Sequence, residues 1–385
     1  MSASASTAIL LFMVAWGANH FVPLLLVYRA RLGLSEVDLG ILFGVYAVGL
    51  VPGLLVGGPL SDRVGRHRVA FPASLVALVG TTILSFGHGG FPVLLAGRFV
   101  VGLGSGATFS TGTAWLGDLA RGRPPGTGAR WATVALSGGF GGGPLVTGFI
   151  AQWAPSPMVT PYVLQGVLLA LAIAVAFVRT DALALAPGRA APHPHRGALP
   201  EGLLREIAPI GPWVFAFPSV SFAVFPLLLR EQLGSFAVAY AGIVTGTTLL
   251  SGLVAQPLLR GWRRRSAAEI ALVLGGGGLL IGLVAAGHES PVGVVAAALL
   301  LGAGYGGCLI AGLRTGEAMA TAENRGRATG VFYVFAYLGF SAPLLLAAVA
   351  KHAGYSTGIV AMAVAAGLSA WFVRCAPTTQ HDPGP

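Results

Sequence analysis

Charge is scarce in this chain of 385 residues. Charged residues make up 9% of it and acids number 13, against about 25% charged in soluble domains. Hydrophobic residues reach 55% and the mean hydropathy is +0.79. Those values exclude a soluble globular protein. Alternating ten-residue segments are lacking too, which argues against a transmembrane β-barrel. Cysteines number 2, Cys308 and Cys375, in or near apolar runs, so neither a disulfide framework nor a cysteine metal site is expected. A phosphate-binding G-x-x-x-x-G-K-[ST] loop is missing, so ATP is not expected as the energy source. No nucleophile–base constellation is visible, so the chain does not read as an enzyme, and no cofactor is implied. His193 and His195 stand in a Pro-rich stretch without further ligands and read as solvated, with no metal. Residues 1–7 carry no basic residue and run straight into an apolar run, so no cleavable signal peptide is expected.

What remains is a series of apolar runs. They read as twelve spans of about 20 residues, near 8–28, 36–58, 69–87, 93–115, 129–151, 159–178, 208–229, 236–258, 267–287, 291–313, 327–349 and 355–374. The expected organisation is a six-helix half over 1–178, a linker over 179–206, a second six-helix half over 207–374 and a tail over 375–385. The net charge of +10 does not point to nucleic acid, because the arginines gather at the ends of apolar runs. Most fall on one side; the other side holds only Arg29, Arg31, Arg230 and Lys351. That asymmetry puts both termini and the linker in the cytoplasm.

The organising stretch is Gly58-Pro59-Leu60-Ser61-Asp62-Arg63-Val64-Gly65-Arg66-His67-Arg68. It reads as a short charged turn in water between two membrane helices. Gly58, lacking a side chain, reads as a point of close helix approach. The pattern resembles the loop 2–3 signature of the major facilitator superfamily, roughly G-x-L-x-D-R-x-G-R-R. Gly58, Leu60, Asp62, Arg63, Gly65 and Arg66 match, and His67 takes a place usually held by Arg or Lys. Arg98-Phe-Val-Val-Gly102-Leu-Gly104-Ser-Gly106 resembles the superfamily's R-x-x-x-G-x-G-x-G motif. Gly139-Phe-Gly-Gly-Gly143-Pro144 resembles a G-x-x-x-G-P segment of its antiporter branch, which the family links with export; the plain alternative is a glycine packing face with a proline kink. The resemblance implies an all-α membrane fold of two six-helix halves, a small-molecule substrate, alternating access and a monomer in a bacterial cytoplasmic membrane. It also implies that Asp62 holds the cytoplasmic side closed against residues 326–330. A charge relay would join Asp62, Arg63, Arg66 and Asp118, although Asp118 reads equally well as a loop acid beside Arg121 and Arg123.

Spacing supports the two halves independently. Gly102-Leu-Gly104-Ser-Gly106 recurs as Gly302-Ala-Gly304-Tyr-Gly306. The second-half counterpart of the loop signature, from Gln256 to Arg265, keeps its positive charge and loses its acid. The four prolines Pro209, Pro212, Pro218 and Pro226 fall in the seventh span and permit bending there.

The acids lie in loops, tails or span ends, with Asp38 and Glu269 closest to the interior. At depth stand Asn19, His20, Tyr46, Arg98, Tyr305, Tyr333 and Tyr337. His20 lies about 3 Å and Arg98 about 9 Å from the midpoints of their helices, at 1.5 Å per residue. An arginine inside a span either serves function or snorkels to the surface. Histidine titrates near neutral pH, so His20 is the candidate proton carrier, or else a helix-packing histidine. A cavity with Arg98 and no acid favours neutral or anionic substrates over cations. The expectation is proton-coupled efflux of such a compound. The alternatives are a facilitated uniporter, a proton-coupled uptake symporter, or a membrane sensor without transport.

Overall fold

The computed structural model describes residues 2–124, 126–180, 199–321 and 324–375. His193, His195, most of the expected linker and the tail beyond Cys375 lie outside them. Helix and no strand is present among the described residues. The chain divides into two compact units, residues 1–192 and 193–385.

The first unit contains α1 (Ala3–Asn19), α2 (Phe21–Leu32), α3 (Glu36–Val64), α4 (Arg66–Ser85), α5 (Phe91–Leu119), α6 (Thr127–Trp153) and α7 (Thr160–Thr180). The second contains α8 (Leu203–Ile207), α9 (Trp213–Ala223), α10 (Phe225–Leu228), α11 (Arg230–Leu233), α12 (Ala237–Arg260), α13 (Arg264–Gly287), α14 (Pro291–Met319), α15 (Arg325–Leu338) and α16 (Ala342–Cys375). Ten helices among the described residues are long and apolar enough to cross a membrane. One runs from Arg327 to Cys375, 49 residues. At 1.5 Å per residue it is more than twice as long as a hydrocarbon core of about 30 Å. Gly354, at φ 77°, ψ 160°, divides it into two crossings. With the shorter apolar helix Trp213–Leu228, the described residues make twelve crossings.

Three expected spans are interrupted, the eleventh by a 3-10 turn at Gly339–Ser341. Helix α1 ends at Asn19, and α2 begins at Phe21 after a turn at His20. Pro23 explains the break, because it has no N–H to return to the Asn19 carbonyl. The seventh span breaks in the same way at Val224, two residues before Pro226. The sequence repeats at these points: Pro23-Leu24-Leu25-Leu26 recurs as Pro226-Leu227-Leu228-Leu229.

The glycine repeat does the same work in each unit. Gly102 and Gly106 press on α3 at Tyr46 and Leu50, and Gly104 presses on α4 at Ala73 and Ala77. Gly302 and Gly306 press on α12 at Thr248 and Gly252, and Gly304 on α13 at Ala271 and Gly275. Helices α5 and α14 are therefore the central staves of their units, each wedged between two others by residues without side chains.

Candidate functional site

Three groups of polar or aromatic side chains emerge, two in the first unit and one in the second. The deepest surrounds Arg98. This arginine does not snorkel: it is 1% exposed. Its Nη1 donates to the Ala18 carbonyl at 2.9 Å and its Nε to the Leu42 carbonyl at 3.2 Å. Ala18 lies in the last turn of α1, where carbonyls lose their helical partners and the helix dipole favours a cation. The guanidinium carbon sits 4.5 Å from the Phe21 ring centroid and 4.5 Å from that of Tyr46, a cation–π sandwich. Arg98 thus ties α5 to both sides of the break in span one and to α3.

His20 occupies the break itself, wholly buried, and neither ring nitrogen has a hydrogen-bond partner. The Tyr162 ring stands edge-on to it, with centroids 4.6 Å apart. The Tyr162 and Tyr28 hydroxyls share a hydrogen bond of 2.5 Å. Arg98 lies within electrostatic reach of His20, Tyr28, Tyr46 and Tyr162. Gln165 donates to the Met13 carbonyl at 2.9 Å while its Oε1 stays unpartnered. The sequence-predicted His20, Tyr46 and Arg98 therefore meet in one buried cluster, and Asn19, the last residue of α1, is half-buried. Tyr28, Tyr162 and Gln165 were not anticipated; the signal for two of them was the Tyr162/Gln165 pair at i, i+3 in an otherwise apolar run.

The second group is at the α3–α4 corner. Helix α3 continues through Asp62 to Val64, so the expected turn shrinks to Gly65, whose φ of 104° suits glycine. Arg66 lies between two carboxylates, Asp62 at 2.5 Å and Asp118 at 3.0 Å, and donates to Ser61 Oγ at 2.7 Å. Asp118 also accepts from Arg121 at 2.7 Å. Asp118 therefore pairs with both Arg66 and Arg121. Arg63 is exposed.

Gly58 requires a correction. A methyl group there would meet Ser110 at 3.6 Å, an ordinary contact. The close approach belongs to Gly49, Gly53 and Gly57, one helical turn apart, which face α5 backbone. Gly57 is the residue whose Cβ would lie 2.6 Å from the Ala107 Cα. The same physics explains Gly143 and Pro144. Gly139 and Gly143 pack on α1 at Phe12, Ala15 and Trp16, and Trp16 Nε1 donates to Thr147 Oγ1 at 3.0 Å. Pro144 is buried in a helix that continues past it.

The third group joins Tyr305, Tyr333 and Tyr337 with Phe215 and Phe340. Phe215 lies parallel to Tyr337 (5.2 Å, 5°) and to Phe340 (4.6 Å, 16°). Tyr333 stacks on Tyr337 at 5.9 Å, and Tyr305 on Phe215 at 6.3 Å. The two acids expected nearest the interior, Asp38 and Glu269, are held elsewhere. Asp38 closes a capping box with Ser35 at the start of α3. Glu269 accepts from Arg374 at 3.4 Å. Among the described residues no group of His, Cys, Asp and Glu is placed to hold a metal ion.

The sequence model of the Major Facilitator Superfamily matches residues 7–229, more than half of the chain. The chain belongs to that superfamily. It is a multi-pass membrane protein with bacterial relatives. One is the quinolone resistance protein NorA of Staphylococcus aureus, 26% identical over 142 residues, covering 37% of this chain and 36% of NorA. Another is the multidrug resistance protein MdtL of Shigella flexneri, 37% identical over 89 residues, 23% of this chain and 22% of MdtL. The matches thus span about a third or less of these superfamily relatives. Solved structures share the fold over nearly the whole length. A POT peptide transporter in complex with sulfate matches with a TM-score of 0.81 at 14% identity, covering 97% of this chain and 93% of that one. The nucleoside transporter NupG gives 0.77 at 11% identity, covering 97% and 99%.

Proposed function

We propose that this transporter exports a neutral or anionic small organic compound across a bacterial cytoplasmic membrane in exchange for protons, by alternating access. The observation that carries the substrate charge is the Arg98 pocket, a buried cation with no carboxylate among its neighbours. A permanent cation brought to such a site would meet repulsion without compensation. The parallel rings around Phe215 support a planar aromatic portion on the substrate, because flat rings favour offset stacking. The efflux direction rests on the Gly139–Pro144 segment and on NorA and MdtL, whose names denote quinolone and multidrug resistance. His20 is assigned the proton and Arg98 the substrate's negative end. Asp62, Arg66 and Asp118 are assigned the cytoplasmic gate, and both termini are assigned to the cytoplasm.

Everted membrane vesicles carrying the protein test this. An imposed pH gradient should drive uptake of neutral or anionic aromatic compounds from a panel, and compound addition should dissipate the gradient. Preference for permanent cations, or flux indifferent to the gradient, would contradict the reading. A Ser2→Cys label on a Cys375→Ser background should react only when an impermeant thiol reagent reaches the inner face.

A further inference from the structure

The closed pocket contains a side chain that it does not satisfy. His20 is fully buried and both ring nitrogens lack partners, although buried polar groups are almost always hydrogen-bonded. Arg98 on α5 reaches its ring electrostatically and Tyr162 on α7 stands edge-on to it, while Tyr28 on α2 and Tyr46 on α3 lie within electrostatic reach of Arg98. None is an acid. A proton on this ring would find one like charge and no counter-ion. Yet the ring sits at the break in span one, whose two sides Arg98 fastens through the Ala18 carbonyl and the Phe21 face.

We propose that the closed pocket and a protonated His20 exclude each other, so that proton binding unfastens the α1–α2 break. A hydronium ion from water gives its proton to an imidazole nitrogen, forming an N–H bond and leaving water. The imidazolium and the Arg98 guanidinium then repel. Arg98 withdraws from the Ala18 carbonyl, water reaches the ring, and span one bends freely at His20. When the proton leaves, the guanidinium returns to the carbonyl and the sandwich reforms. A ligand, here the proton, shifts such an equilibrium only by its preference for one state, and the missing counter-ion supplies that preference. The device deepens the proton role assigned to His20 above and rests on it.

Hydrogen–deuterium exchange of the purified full-length transporter, without substrate, tests the device. After correction for intrinsic exchange, amides of residues 18–24 should lose tenfold or more of their protection between pH 8 and pH 5. His20→Gln should stay protected at both values. Arg98→Gln, which removes the fastening, should be unprotected at both. An equal pH-dependent loss in His20→Gln, or no loss in the wild type, would overturn the proposal. Should His20→Gln fail to fold, the wild-type profile and Arg98→Gln still decide it, since unchanged protection in either contradicts the device. Transport assays are not involved. A pocket that opens with pH in a protein that moves no protons would retain the device and discard the transport role.

Discussion

The two units carry the same frame with different contents. Each has a broken first span, a proline two or three residues past the break, and a central helix wedged by three glycines. In the first unit the frame encloses Arg98, His20 and a tyrosine pair. In the second, the position matching Arg98 in the repeat is Ala298, fully buried, and Ser221 bonds Thr248 at 2.7 Å near the corresponding face. The rings differ as well. In the Arg98 cluster and beside it several meet edge-on, as with His20–Tyr162 at 82° and Phe71–Trp115 at 81°, although Phe149 and Trp153 elsewhere in the unit stack at 23°. Around Phe215 they lie parallel. A duplicated scaffold has thus kept its packing rule while one copy acquired buried charge and the other an aromatic face.

The comparison breaks most sharply at Arg98. Arg98→Ala should lower stability by about 3–5 kcal/mol, from the cavity and the orphaned carbonyls, and should abolish substrate binding. Ser221→Ala in the second unit should cost only about 1 kcal/mol, because Thr248 still bonds the Val244 carbonyl. Thermal unfolding of the purified variants measures both, and equal losses would erase the contrast.

Next comes the shared wedge. Gly57→Ala should cost about 1–3 kcal/mol, since helix backbone stands in the way. Gly58→Ala, one residue on, should be neutral or stabilise by up to about 1 kcal/mol through helix propensity. The same unfolding series reports the pair, and a tolerant Gly57 would refute the packing geometry.

The smallest expected stability changes lie at the charged corners. Asp62→Asn should shift stability by roughly 0–1 kcal/mol, as partly exposed ion pairs do, yet reduce transport severely at normal expression. Glu206→Gln removes the second unit's Arg265 pair, 3.0 Å in the native protein. It should shift stability by a similar roughly 0–1 kcal/mol and leave transport near normal. Vesicle flux for the two variants side by side sharpens the difference between a gate and an anchor.

Much of this was legible in the sequence because membranes simplify the code. Apolar length gave the crossings, Asp62 and Arg66 followed from the signature, and Asp118 came from the family resemblance, with a plain loop acid as the alternative. The break in span one was not anticipated, although Pro23 carries it, because a lost hydrogen bond leaves the hydropathy of the run from Leu10 to Leu26 high, Asn19 and His20 being its polar residues. Gly58 misled for a related reason: adjacent glycines share a motif, but helix rotation of about 100° per residue puts only Gly57 against α5. Tyr28 and Tyr162 could not be paired from spacing, since 134 residues separate them. The Arg98 interior position required the structure to decide between carbonyls inside and water outside.

Proton movement driven by substrate, in proteoliposomes containing the wild type, His20→Ala or Arg98→Ala at matched content, tests the central claim most directly. The wild type should acidify or alkalinise the lumen when a neutral or anionic aromatic compound is added to one side. His20→Ala should lose proton movement, and Arg98→Ala should also lose binding of the compound. Proton-driven flux at wild-type rate in both variants would contradict the account.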